Sequence, residues 1–263
     1  MTDRDVFDTE RLRAELADAD SLWREVEVVA ETGSTNADLA ARARAGEAAG
    51  VVLATDHQSA GRGRLGRSWT APPGRSIAMS VLLQPSRPDG WTWLPLLAGL
   101  AVADSLRALA DVPALLKWPN DVLVEDAKIC GILGERVDTT TAPACVLGLG
   151  VNVHLTAAEL PVPTATSLAL LRPGVRFDRA EIAATVLAAL ALLYHRWEAG
   201  RDTDLREEYL ARCDTVGRTV QVLRPDGSGT RGEAVDVDPA GQLRVRTGAG
   251  VEVFAAGDVL HLR

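Results

Sequence analysis

Residues 115–138, LLKWPNDVLVEDAKICGILGERVD, followed by ACVLGLGVNVHL at 144–155, decide the architecture. LLKWPNDVLV, EDAKICGILGERVD and ACVLGLGVNVHL are apolar, strand-like segments separated by short polar turns. Connections this short favour an antiparallel meander. Upstream, REVEVVAETG (24–33), VVLATDHQ (51–58) and SIAMSVLLQP (76–85) read as further strands. STNADLAARARAGE (34–47) reads as an N-capped helix between the first two of these. A long helix is expected over Trp93 to Ala110, with proline in its first turn and apolar residues three and four apart. ERLRAELADAD (10–20), DRAEIAATVLAALALLYHRWEAG (178–200) and DLREEYLARCD (204–214) also read as helices. After Cys213 the texture changes to apolar–polar alternation with DGSG, DPAGQ and TGAG turns, the pattern of about five short strands in a small barrel or sandwich. The chain is therefore expected to be α+β over residues 1–212, with an SH3-like β domain over 213–263.

Composition narrows the function. A net charge of -8 and a pI near 5.1 disfavour bulk nucleic-acid binding, so any anion site must be local. The longest apolar stretch, TWLPLLAGLAVADSL, is interrupted by Pro95 and Asp104 and is not expected to span a membrane. The polar start, MTDRDVFDTE, is unlike a secretory signal. Cys130, Cys145 and Cys213 are too few and too scattered for a disulfide framework or a zinc site and read as buried thiols of a cytoplasmic protein. His57, His154, His195 and His261 show no metal-ligand spacing and read as structural, so no resident metal site is expected.

Against that acidic background stands GRGRLGRSWT (61–70). Glycine permits close backbone approach and suggests a loop whose N–H groups converge. Arg62, Arg64 and Arg67 add permanent cations matched to carboxylate and phosphate, and Trp69 offers a flat face or an anchor. A solvated basic loop or an arginine–glycine nucleic-acid segment is the alternative. In KWPNDVLVEDAKICGILGE (117–135), Lys117 and Lys128 flank the turn Pro119–Asn120–Asp121. A lysine opening an apolar strand is costly to desolvate unless an anion meets it. Gly131 and Gly134 leave room on that strand, although WPND is equally a good turn. Ser34, Thr35 and Asn36 in ETGSTN open a helix, where capping and ligand binding are both admissible. LGLGVNV places Gly148 and Gly150 on a strand ending in Asn152.

Together, ETGSTN, DHQSAGRGRLGRSW, KWPNDV, KICGILGE and GLGVNV, in this order, resemble the biotin protein ligases, and the likeness extends into the terminal β domain. It implies the fold of class II synthetases and biotin–lipoate ligases, with a mixed, largely antiparallel sheet and flanking helices. It also implies a two-step reaction. Biotin's carboxylate attacks the α-phosphate of ATP to give biotinyl-5′-AMP and pyrophosphate, with Mg²⁺; a lysine of a biotin carboxyl carrier domain then takes the biotin.

By the same resemblance, Ser34, Thr35, Asn36 and Gln58 would bind biotin, with Gly131, Gly148 and Gly150 lining its ring. Arg62, Gly63 and Arg64 would hold carboxylate and phosphate, with Arg67 nearby, and Lys128 would contact the reacting oxygens. Trp69, Lys117, Asn120 and Asn152 would serve the ATP side. Two positions depart from the family pattern: Leu65, where a polar or basic residue is common, and Cys130, where alanine is common. ETGSTN begins at Glu31, too near the start to leave room for the winged helix-turn-helix of relatives that repress transcription, so no DNA binding is expected. A monomer and a weak homodimer are both compatible with the sequence. A lipoate–protein ligase is the alternative enzyme, and a nucleotide- or nucleic-acid-binding module the alternative outside catalysis.

Overall fold

The computed structural model describes residues 7–16, 22–224 and 227–262. In chain order the elements are α1 (Thr9–Glu15), β1 (Glu25–Thr32), α2 (Thr35–Arg44), β2 (Val51–Gln58), β3 (Ser76–Leu83), α3 (Trp93–Ala110), β4 (Leu115–Lys117), β5 (Asp121–Val124), β6 (Ala127–Val137) and β7 (Ala144–Asn152). Then follow α4 (Leu168–Leu171), α5 (Arg179–Glu198), α6 (Asp202–Leu210), β8 (Thr219–Leu223), β9 (Gly229–Val237), β10 (Leu243–Thr247), β11 (Gly250–Phe254) and β12 (Asp258–His261). Residues 17–20 of the first expected helix lie outside the described residues.

The first seven strands form one sheet in the order β1-β2-β3-β7-β6-β5-β4. Only β1 and β2, joined across α2, run parallel; the remaining pairs are antiparallel, as the meander required. LLKWPNDVLV is two strands rather than one. Pro119 has no N–H to give a ladder, and the chain reverses at 118–120, so Lys117 pairs with Asp121.

Strand alternation sends alternate residues to opposite faces of the sheet. Val52 and Ala54 of β2, Met79 and Val81 of β3, and Leu147, Leu149 and Val151 of β7 pack on one face against α1, α3 and α5. Val51, Leu53, Leu82 and Val146 face the other way, onto Leu39, Ala40 and Ala43 of α2. That second face is only partly covered. Beyond α2 it carries mostly small or polar residues: Ala78 pairs with Gly150, which pairs with Gly131, and Ser80 pairs with Gly148, with Leu133 at the end of that row. A shallow trough results.

Among the described residues, α3 is the one helix long and apolar enough to cross a membrane, and 72% of it is buried inside the fold. The terminal strands form a second antiparallel sheet, β11-β10-β9-β8-β12. Two tryptophans fasten it to the rest. Trp118 Nε1 donates to Gly241 O at 3.0 Å, and Trp93 Nε1 donates to Pro239 O at 2.8 Å. Trp118 is 1% exposed, so its place in KWPND is structural.

Candidate active site

The trough, the arginine loop and the edge of the terminal sheet enclose a cavity of about 620 Å³. Every residue given a role by the resemblance borders it: Ser34, Thr35, Asn36, Gln58, Arg62, Gly63, Arg64, Arg67, Trp69, Lys117, Asn120, Lys128, Gly131, Gly148, Gly150 and Asn152. Gly134, expected to leave room beside Gly131, does not: strand alternation turns it to the helix-covered face, where a Cβ would lie 3.3 Å from Pro95.

The inner end is a hydrogen-bonded chain over the start of α2. Gln58 Oε1 accepts from Thr35 N at 2.9 Å, and Thr35 Oγ1 lies 2.7 Å from Ser80 Oγ. Ser80 donates to Asn36 Oδ1 at 2.6 Å. Asn36 Nδ2 donates to Glu135 Oε2 at 2.8 Å. Ser34 caps α2, accepting from Ala37 N at 3.4 Å. Capping and site-building therefore share one tripeptide. Ser80 and Glu135 went unread in the sequence, though a serine inside the wholly buried strand SIAMSVLL was a usable signal.

The glycines are explained by what faces them. A Cβ on Gly148 would lie 2.1 Å from Asn36 Oδ1, and one on Gly150 would lie 2.4 Å from Trp69 Cε2. A Cβ on Gly131 would lie 3.0 Å from Lys128 Nζ and 3.1 Å from Trp69 Cζ3. Side chains here would expel the residues that shape the cavity. Trp69 Nε1 is buried without an acceptor among the described residues.

The arginine loop departs from expectation. Three of its N–H groups bond within the loop and are not offered to a ligand: Gly63 N to Arg67 O at 2.7 Å, Arg67 N to Arg64 O at 3.1 Å and Trp69 N to Gly61 O at 2.9 Å. The loop is a narrow ribbon, closed by a turn in which Leu65 takes φ 53° and Gly66 φ 73°. Positive φ is unfavourable for leucine, whose side chain is 56% exposed. The guanidinium groups, not the backbone, supply the charge. Arg62 meets Glu135 at 2.6 Å, Arg64 donates to Asn120 Oδ1 at 2.8 Å and to Gly257 O at 3.3 Å, and Arg67 meets Asp258 at 2.8 Å. Burial lowers the pKa of Arg64, a direction that still leaves it cationic near neutral pH.

Lys128 reaches the cavity by a bulge. Pairing shifts between Val122 and Leu123, with Cys130 opposite Val122 and Lys128 opposite Leu123, so Ile129 is the extra residue. Strict alternation from Cys130 would send Lys128 to the helix-covered face; the bulge re-aims it. Its Nζ lies 2.6 Å from Asp121 Oδ1, the anion that the sequence demanded but did not identify. Asn120 Nδ2 donates to Ile132 O at 2.9 Å, and Asn152 Nδ2 to Thr166 O at 2.9 Å. Lys117 has its pKa lowered, first by burial and also by Lys128 and Arg67, with Asp121 opposing.

The terminal sheet supplies a wall that no motif announced: Arg218, Leu260, His261 and Leu262 border the cavity. Burial, then Lys117 and Arg218, push the His261 pKa down to about 4. His261 Nε2 lies 3.1 Å from Thr215 Oγ1. His261, Asp126 and Asp214 come close enough to suggest a metal set, but Arg218 meets both aspartates, at 3.1 and 2.7 Å.

Residues 28–152 match the model of the biotin/lipoate A/B protein ligase family, and residues 215–262 match that of the biotin protein ligase C-terminal domain. The biotin–[acetyl-CoA-carboxylase] ligase of Mycobacterium tuberculosis is 44% identical over 274 residues, covering 100% of both chains. The chain belongs to the biotin protein ligase family. The ligase of the same name from Paracoccus denitrificans is 34% identical, covering 88% of this chain and 98% of its own. Among solved structures, the biotin protein ligase from Aquifex aeolicus in complex with biotin and ATP is similar at a TM-score of 0.78 and 26% identity, over 92% of this chain and 100% of that one.

Proposed function

We propose that this protein is an ATP-dependent biotin–protein ligase, forming biotinyl-5′-AMP with release of pyrophosphate and then transferring biotin to a lysine of a carboxylase's carrier domain. The observation that carries the reading is the meeting of Arg62, Arg64 and Lys128 around one cavity floored by Gly131, Gly148 and Gly150. The names of the full-length relatives support it, and those names specify a ligase alone, in keeping with an enzyme that has no repressor role.

Ser34, Thr35, Asn36 and Gln58 bind biotin at the inner end, and the glycine floor lies under its ring. The carboxylate then points toward Arg62, Arg64 and Lys128. Trp69, Arg67, Lys117, Asn120 and Asn152 serve the nucleotide. In the first step a carboxylate oxygen attacks the α-phosphorus and the bond to pyrophosphate breaks. Two anions approach one another, so preorganised cations lower the barrier most where charge accumulates. In the second step the acceptor amine attacks the anhydride carbonyl, the bond to AMP oxygen breaks, and an amide forms. Lys128 can hold the oxygen on which negative charge develops in either step. Water excluded beneath the loop cannot hydrolyse the adenylate.

Mg²⁺ fits as an ion that arrives with ATP. The cavity's carboxylates, Asp121 and Asp126, already face Lys128 and Arg218, and magnesium is ordinarily held by one or two carboxylates together with phosphates. It would neutralise the leaving pyrophosphate. We assign residues 1–212 to catalysis and 213–263 to a β domain that completes the cavity wall, in an enzyme of the reducing cytoplasm.

The test is incubation with biotin, ATP–Mg²⁺ and a purified carrier domain. A mass gain of one biotinyl group on a single lysine is expected, with none when lipoate replaces biotin. Properly folded protein giving no adduct would refute the assignment.

A further inference from the structure

Glu135 belongs to none of the binding roles above, yet its carboxylate engages two groups of the site at once. Oε2 accepts from Arg62 Nη2 at 2.6 Å and from Asn36 Nδ2 at 2.8 Å. These donors come from different segments, the arginine loop and the first turn of α2, and Glu135 comes from a third, β6. Strand alternation puts it on the cavity face of β6, in line with Gly131 and Leu133.

The arrangement determines which way the Asn36 amide faces. Its Oδ1 accepts from Ser80 Oγ, and its Nδ2 donates to Leu133 O at 3.2 Å as well as to Glu135. A flipped amide would set its oxygen against a carboxylate and a carbonyl, acceptor against acceptor. Glu135 has a side-chain exposure of 30%, so as an isolated ion pair its worth is small. Its effect is geometric: one oxygen binds both donors, and displacing either changes the partner offered to the other.

We propose that Glu135 is a positioning residue for carboxylate activation, coupling the Arg62 guanidinium to the Asn36 amide so that seating biotin at α2 sets the cation that meets its carboxylate. This rests on the ligase reading above. Glu135 does not touch substrate in this scheme; it acts through Arg62 and Asn36.

The test is a double-mutant cycle on biotin-dependent ATP–pyrophosphate exchange, with wild type, Glu135→Gln, Arg62→Ala and the double variant. Loss of a charge-assisted hydrogen bond predicts that Glu135→Gln raises KM for biotin roughly tenfold, with kcat and KM for ATP changed far less. In the Arg62→Ala background the same substitution is expected to add little, because the residue it positions is gone. Glu135→Asp keeps the charge with a shorter reach and should fall between wild type and Glu135→Gln; it carries the test if the glutamine variant melts early. Strictly additive KM effects, or a wild-type KM in both folded Glu135 variants, overturn the proposal while leaving the ligase reading intact. Absence of exchange in the wild-type enzyme overturns both.

Discussion

Lys128 Nζ stands 2.6 Å from Asp121 Oδ1, across a bulge that lifts the lysine onto the cavity face of β6. The pair explains how a lysine enters an apolar strand: its counter-ion comes from the neighbouring strand and offsets the cost of desolvating the ammonium.

Lys128→Ala is expected to slow pyrophosphate exchange by about 10²–10³, the usual cost of removing one preorganised donor to a developing charge. Asp121 is left with 20% of its side chain exposed, enough to rehydrate, so the melting temperature should move little. Exchange kinetics and a thermal melt on one preparation separate these effects. A variant that exchanges at wild-type rate removes Lys128 from the mechanism.

Gly150→Ala places a methyl group 2.4 Å from the Trp69 ring. Overpacking of this kind costs about 1–3 kcal/mol, and relief by moving the indole should weaken binding of ATP and adenylate more than it weakens the fold. Trp69→Ala opens the same space. The double variant should therefore melt higher than the sum of the single losses predicts, with non-additivity measured by denaturant titration.

His261 gives stability a pH dependence with a definite sign. Its pKa drops from 6.5 to about 4 on folding, through burial and the neighbouring Lys117 and Arg218, with Asp214 and Asp126 opposing. Between those values the unfolded chain binds the extra proton, so this contribution is complete above pH 6.5 and is lost as pH falls toward 4. Its size is on the order of 3 kcal/mol. His261→Gln should flatten stability across this window relative to wild type; parallel curves for the two proteins would show that the histidine is not the titrating group.

The cysteines are expected to be inert. Cys130, Cys145 and Cys213 are buried and free, and burial pushes the thiols of Cys130 and Cys145 up to about 12. At pH 8 that leaves a thiolate fraction on the order of 10⁻⁴. A thiol reagent should find no reactive cysteine in the native protein within minutes and three after denaturation. Rapid native labelling at Cys130 would mean that the strand beneath the cavity opens readily.

Much of the site was legible because its residues cluster in five short motifs, each with a local chemical oddity. GRGRLGRSW carries cations where no helix can form, and ETGSTN marks a helix start. Less visible were residues whose function depends on a partner distant in the chain. Glu135 reads as an ordinary end to ICGILGE, and Ser80 as a polar interruption of a strand, until Asn36 is placed between them. Arg218 and Asp258 lie in the terminal β segment with no motif around them.

The glycines show the same division. Glycines on a strand suggest close approach by a ligand or another backbone, whereas the groups that approach Gly148 and Gly150 are the side chains of Asn36 and Trp69, contributed by other segments. The loop shows it in reverse: alternating glycine and arginine suggested converging N–H groups, whereas the hydrogens of Gly63, Arg67 and Trp69 close the loop on itself. Alternation of apolar residues, helix caps and turns are local, so the sequence alone determined the strands, the long helices and the chemical character of the cavity. Which carboxylate meets which cation was decided only by tertiary structure, because an ion pair between residues 62 and 135, or 67 and 258, exists only once strand register and the seating of the terminal sheet bring them together.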